Sequence, residues 1–76
     1  MKDLIELLVK ALVDHPEDAR IDEVNTPDGT TYEIRVAPDD MGKVIGRGGK
    51  IANALRIIAK AAAMKSKERV YVEIME

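Results

Sequence analysis

The chain has 76 residues, enough for one small domain, since domains typically run to about 100–150 residues. With 46% apolar and 34% charged residues it fits neither a disordered nor a membrane-embedded class; the lack of cysteine excludes a disulfide scaffold and a cysteine-based zinc site, the single histidine, His15, argues against any other zinc site, and no cofactor is expected. The net charge of −2 argues against a nucleic-acid partner until it is partitioned: residues 1–40 sum to −7, residues 41–67 carry seven bases and no acid, and residues 68–76 return to −2. No stretch approaches the ~18 consecutive apolar residues of a membrane span. The opening MKDLIELLVK carries acids that a signal peptide lacks, so a soluble, cytoplasmic protein is expected.

Asp3–Asp14 reads as an amphipathic helix, with Leu4, Ile5, Leu8, Ala11 and Leu12 recurring at helical spacing. His15-Pro16 closes it, because the residue before proline is pushed out of the α region. Ala19–Asn25 reads as a strand whose Ile21 and Val24 are out of phase, which predicts an edge strand or a bulge. Thr26-Pro27-Asp28-Gly29 has the chemistry of a turn, and Thr30–Ala37 alternates with Tyr32, Ile34 and Val36 inward, which makes a hairpin. Pro38-Asp39-Asp40 stops that strand and offers Asp40 as the N-cap of a short helix, Met41–Ile45. After Gly46-Arg47-Gly48-Gly49 a longer helix, Lys50–Met64, places Ile51, Ala54, Leu55, Ile58 and Ala62 on one face and Arg56 with Lys60 on another. Arg69–Met75 alternates as a last strand. The α-β-β-α-α-β order, with about thirty residues and two helices between the last two strands, predicts an α+β fold: a three-stranded mixed sheet with helices packed on one face.

Three glycines in four positions between two helices, leading into a helix N-terminus, describe an anion site, and phosphate is the natural guest. A nucleotide P-loop needs Ser or Thr after the lysine and a strand before the loop; here Ile51 follows Lys50 and a helix precedes. A dinucleotide fingerprint needs glycine at position 51. The remaining reading is a GxxG clamp on a nucleic-acid backbone. The stretch Val44-Ile45-Gly46-Arg47-Gly48-Gly49-Lys50, with Leu55-Arg56 beyond it, resembles the signature of KH domains, and the element order resembles their type II topology. Asp40 to Gly46, followed by Ala54-Leu55-Arg56 and an alanine-rich helix end, is similar to the KhpA family of small stand-alone bacterial KH proteins, over essentially the whole chain.

That resemblance implies a single KH domain over 1–76 that binds single-stranded RNA without catalysis. By position, Gly46 and Gly49 are the fixed glycines of the loop, and Arg47 and Gly48 its variable positions facing the backbone. Val44, Ile45 and Ile51 line an apolar groove for about four bases, with Ile34 or Val36 as neighbours. Ala52 stands where many KH domains carry a larger aliphatic. The acid-free segment assigns a phosphate-facing role to Lys43, Arg47 and Lys50, with Arg56, Lys60, Lys65 and Lys67 as weaker support. The resemblance also implies a homodimer, pairing with a larger KH-domain protein, and an RNA-chaperone or post-transcriptional role. The small-residue run Ala59–Met64 offers a dimer surface or internal packing. Two rival readings are a protein-interaction module on a degenerate KH fold and single-stranded DNA binding.

Overall fold

Apolar residues four apart open the chain and set the core side of the first helix. In the computed structural model, which describes residues 1–75, α1 spans Lys2–Leu12 and buries Ile5 and Val9. Val13 follows in extended conformation with its side chain still in the core. The helix therefore ends two residues before the expected Asp14, and its core stripe is Ile5–Val9–Val13. Leu4, Ala11 and Leu12 stay exposed on the rim.

After a 3-10 turn at Pro16–Asp18, β1 (Arg20–Thr26) pairs antiparallel with β2 (Gly29–Arg35), in unbroken register from Arg20↔Arg35 to Thr26↔Gly29. Of the two explanations for the out-of-phase Ile21 and Val24, the edge strand is realised: β1 lies at one side of the sheet, with Ile21 its only buried residue. β2 is central and pairs in parallel with β3 (Val70–Ile74), from Thr30↔Val70 to Ile34↔Ile74. Side chains on successive residues point to opposite faces. Tyr32, Ile34, Val70 and Val72 are buried toward the helices, while Arg35, Tyr71 and Glu73 face out. The fold is the expected α+β arrangement.

The parallel connection from β2 to β3 carries a 3-10 turn (Pro38–Asp40), α2 (Met41–Ile45) and α3 (Lys50–Met64). α3 buries Ala52, Leu55, Ala59 and Ala63. Only Leu55 belongs to the face expected from the larger residues. Small side chains let the helix lie close on the sheet, so the alanine stripe goes inward. Ile51, Ala54 and Ile58 turn toward α1, and Ala62 is half-buried. Among the described residues no helix is long and apolar enough to cross a membrane.

Candidate nucleic-acid interface

The glycine loop is shaped by its own backbone. Gly46 ends α2 by donating its N–H to the Gly42 carbonyl at 2.9 Å, with φ 75° and ψ 170°. A Cβ there would stand 2.7 Å from Ile51 Cγ1 and 2.9 Å from the Ile51 nitrogen, so the loop folds directly onto the first turn of α3. Arg47–Gly49 then form one 3-10 turn, in which Gly48 and Gly49 take left-handed conformations and the Gly49 N–H reaches the Gly46 carbonyl at 3.2 Å. At these two glycines a Cβ would meet nothing within 4 Å. Their outer surface is open backbone at the N-terminus of a fifteen-residue helix that has no capping side chain and no acid in its first turn. Bare N–H groups and the positive end of the dipole coincide there.

Arg47 and Lys50 flank this surface, are exposed, and make no ion pair with any described residue. Ile45 is exposed beside them, and Ile51 is half-buried beneath Gly46. Two aliphatic residues expected to touch the ligand are placed otherwise. Val44 is 0% exposed, because it is the one residue of α2 that reaches the core; it anchors the helix and presents no surface. Ile34, one of the suggested groove neighbours, is equally buried in the central strand.

Lys43 points away from the loop, toward the end of α1, where its ammonium is ion-paired with Asp14 and lies 3.4 Å from Asp40 Oδ1. Asp40 was expected to cap α2, yet it makes no capping bond. It is 0% exposed, and its carboxylate accepts the backbone N–H of Asp14 at 3.2 Å and of His15 at 2.9 Å. Asp40 thus satisfies two N–H groups beyond the end of α1 and ties that segment to the start of α2. Burial acts to push the Asp40 carboxyl up, but the two N–H donors and Lys43 outweigh it and hold the pKa below the ordinary carboxylate value. The hydrogen bond to Asp14 raises the Lys43 pKa.

α3 separates two flanks below the loop. Toward α1 lies an apolar groove of about 380 Å³, lined by Leu8, Leu12, Ile51, Ala54 and Ile58, with Lys50 at its edge. Toward β3 lies a smaller trough of about 180 Å³, lined by Arg56, Lys60, Tyr71 and Glu73. Thr30 N–H bonds to the Arg69 carbonyl and Met75 N–H to the Ile34 carbonyl, so odd-numbered residues of this strand pair with β2 and Val70, Val72 and Ile74 face the free edge. Arg56 Nε donates to the Val72 carbonyl at 3.3 Å, and its Nη1 to Asn53 Oδ1 at 3.3 Å. The sequence placed Arg56 on a basic face; its partner was not legible there, because the direction of a strand's carbonyls depends on pairing.

Two helices joined by a Gly-x-x-Gly turn, laid on one face of a β1-β2-β3 sheet with β2 and β3 parallel, define a type II KH domain. The family model for the KhpA/KhpB KH domain matches residues 2–74, and the chain belongs to that family. It is 49% identical over 75 residues to the RNA-binding protein KhpA of Clostridium perfringens, covering 99% of this chain and 100% of that one. It is 48% identical over 75 residues to that of Caldanaerobacter subterraneus subsp. tengcongensis, with the same coverage of both chains. The RNA-binding protein KhpA of Halalkalibacterium halodurans is 49% identical over 76 residues, with both chains fully covered. No solved structure matches significantly.

Proposed function

We propose that this chain is a single KH domain that binds single-stranded RNA and catalyses no reaction. The observation that carries the reading is the open backbone at Gly48 and Gly49, set on the uncapped N-terminus of α3 between Arg47 and Lys50. Phosphates rest on that backbone, Arg47 and Lys50 neutralise them, and the Gly46–Ile51 contact holds the turn rigid. About four bases run from the loop past Ile45 and Ile51, with Arg56 beside their path. The relatives named as RNA-binding proteins support this assignment.

With roughly three phosphate contacts, log K should fall with log salt at a slope of about −2. The test is a titration of labelled single-stranded RNA and DNA with wild type and an Arg47→Asp/Gly48→Asp double variant at two salt concentrations. Loss of RNA binding in the double variant is expected, and unchanged binding removes the loop as the phosphate site. Salt-insensitive binding by wild type would favour the interaction-module reading, and equal affinity for DNA would remove the preference for RNA.

So short a footprint gives weak affinity, and a second domain multiplies it. The apolar groove between α1 and α3, with Met64 78% and Ile57 66% exposed on α3, supports docking of a second copy or of a larger KH-domain protein on the helical face. Ala59 and Ala63 are used internally, so the exposed residues of α3 carry that contact. Sedimentation of wild type against Ile58→Glu reads it, with a monomeric variant expected and an unchanged state overturning it. A cytoplasmic RNA chaperone or post-transcriptional regulator is the matching role.

A further inference from the structure

Lys43 lies in the acid-free, basic segment and about 4.5 Å along the helix axis from Gly46. It is nonetheless ion-paired with two carboxylates, Asp14 and Asp40. Among the described residues it is the only base of 41–67 in an ion pair. Asp40 is fixed by burial and by the N–H groups of Asp14 and His15, whereas Asp14 is 68% exposed and holds Lys43 from outside. Two carboxylates and one ammonium leave this cluster with a net negative charge, within about one Debye length of the loop. On the opposite flank of α3, Arg56 and Lys60 make no ion pair with any described residue.

We infer that Asp14, acting through Lys43 and Asp40, is a positioning residue: it withholds a cation from the phosphate chain and closes the α1 side of the loop to it. The inference rests on the RNA-binding reading. It goes further in assigning an affinity-limiting role to an acid outside the loop. Wild-type affinity is then below what the same loop supports, because one of its neighbouring bases is already neutralised.

The experiment compares binding of a labelled single-stranded RNA oligonucleotide by wild type, Asp14→Asn, Asp14→Asn/Lys43→Gln and Asp28→Asn at several salt concentrations. Asp28→Asn removes the same charge from the turn between β1 and β2, at the end of the sheet where β2 begins. Asp14→Asn is expected to tighten binding about threefold and to steepen the salt slope by about 0.7, one further single-strand phosphate contact. Adding Lys43→Gln should abolish both changes, and Asp28→Asn should produce neither. An unchanged affinity in Asp14→Asn, an equal gain in Asp28→Asn, or a gain that survives Lys43→Gln overturns the inference while leaving RNA binding intact. Absence of binding by wild type overturns the functional reading itself, and this inference with it. Circular dichroism of each variant confirms the fold, and the salt slope is a readout that loss of packing would not steepen.

Discussion

Replacing the loop glycines by alanine one at a time separates structural from ligand-facing backbone. At Gly46 the backbone (φ 75°, ψ 170°) lies in a region essentially reserved for glycine, which costs a side-chain residue about 1–3 kcal/mol. The added methyl also meets Ile51 Cγ1 at 2.7 Å and the Ile51 nitrogen at 2.9 Å. The nitrogen belongs to the first turn of α3 and cannot step aside without moving the helix. Gly46→Ala should therefore cost about 3 kcal/mol, on the order of half the stability of a domain this size. Its melting temperature should drop by roughly 10–20 °C. Gly48 and Gly49 need only the left-handed conformation and have empty space around them, so alanine costs about 1–2 kcal/mol at each. Gly42, inside α2 with nothing within 4 Å, should gain about 0.5–1 kcal/mol. Urea melts followed by circular dichroism give the four values. RNA titration should reverse the order, because a methyl at Gly48 or Gly49 stands on the surface proposed to receive a phosphate. If Gly46→Ala loses no more stability than Gly49→Ala, the close approach of loop and helix is not what fixes the turn.

Three further outcomes follow from the geometry. The folded pKa of Asp40 is depressed, so its stabilisation is present above the unfolded value of about 3.9 and is lost as pH falls through the folded one. Asp40→Asn, which sets an amide N–H₂ against one of two backbone donors, should lower the melting temperature at pH 7 and flatten the acid limb of a stability–pH profile. An unaltered acid limb would count against the bonds to Asp14 and His15. The C-terminus of α3 closes with Glu68 N–H on the Ala63 carbonyl at 3.3 Å and Lys67 N–H on the Met64 carbonyl at 3.3 Å, leaving Lys67 at φ 57°. Lys67→Gly should stabilise by about 0.5–1 kcal/mol in a urea melt. Glu33 and Glu73 are register partners on the outer face, so Glu73→Lys should raise stability by about 0.2–1 kcal/mol, more at low salt; an equal effect at 1 M salt would point away from their repulsion.

What the sequence disclosed and what it withheld divide along the range of the interactions. α2 and α3 occupy the expected residues, Met41–Ile45 and Lys50–Met64, because Pro38 and the glycine turn punctuate them locally. The loop and its exposed cations Arg47 and Lys50 were legible for the same reason. Asp40 was not, because its partners lie 25 and 26 residues away and an aspartate after a proline reads first as a cap. Lys43 looked like a phosphate ligand because its segment holds no acid, yet Asp14 comes to it from another element. Periodicity weights large side chains and groups Ile51, Leu55 and Ile58 on one face of α3, whereas packing on the sheet selects Ala52, Ala59 and Ala63 beside Leu55. Val44 and Ile45, adjacent and both aliphatic, part to core and surface on a difference of one helical step.

The hydrogen bond from Arg56 to the Val72 carbonyl has a bearing on solubility. β3 is five residues long and lies at the margin of the sheet, where Val70, Val72 and Ile74 turn their main-chain groups away from β2. Such a margin is a template for another strand, and short length and positive charge are the usual defences against that. Arg56 covers the middle carbonyl of the three, and Lys60 stands one helical turn further along the same margin. Arg56 and Lys60 thus set two cations from the neighbouring helix along the margin where a further strand would have to pair.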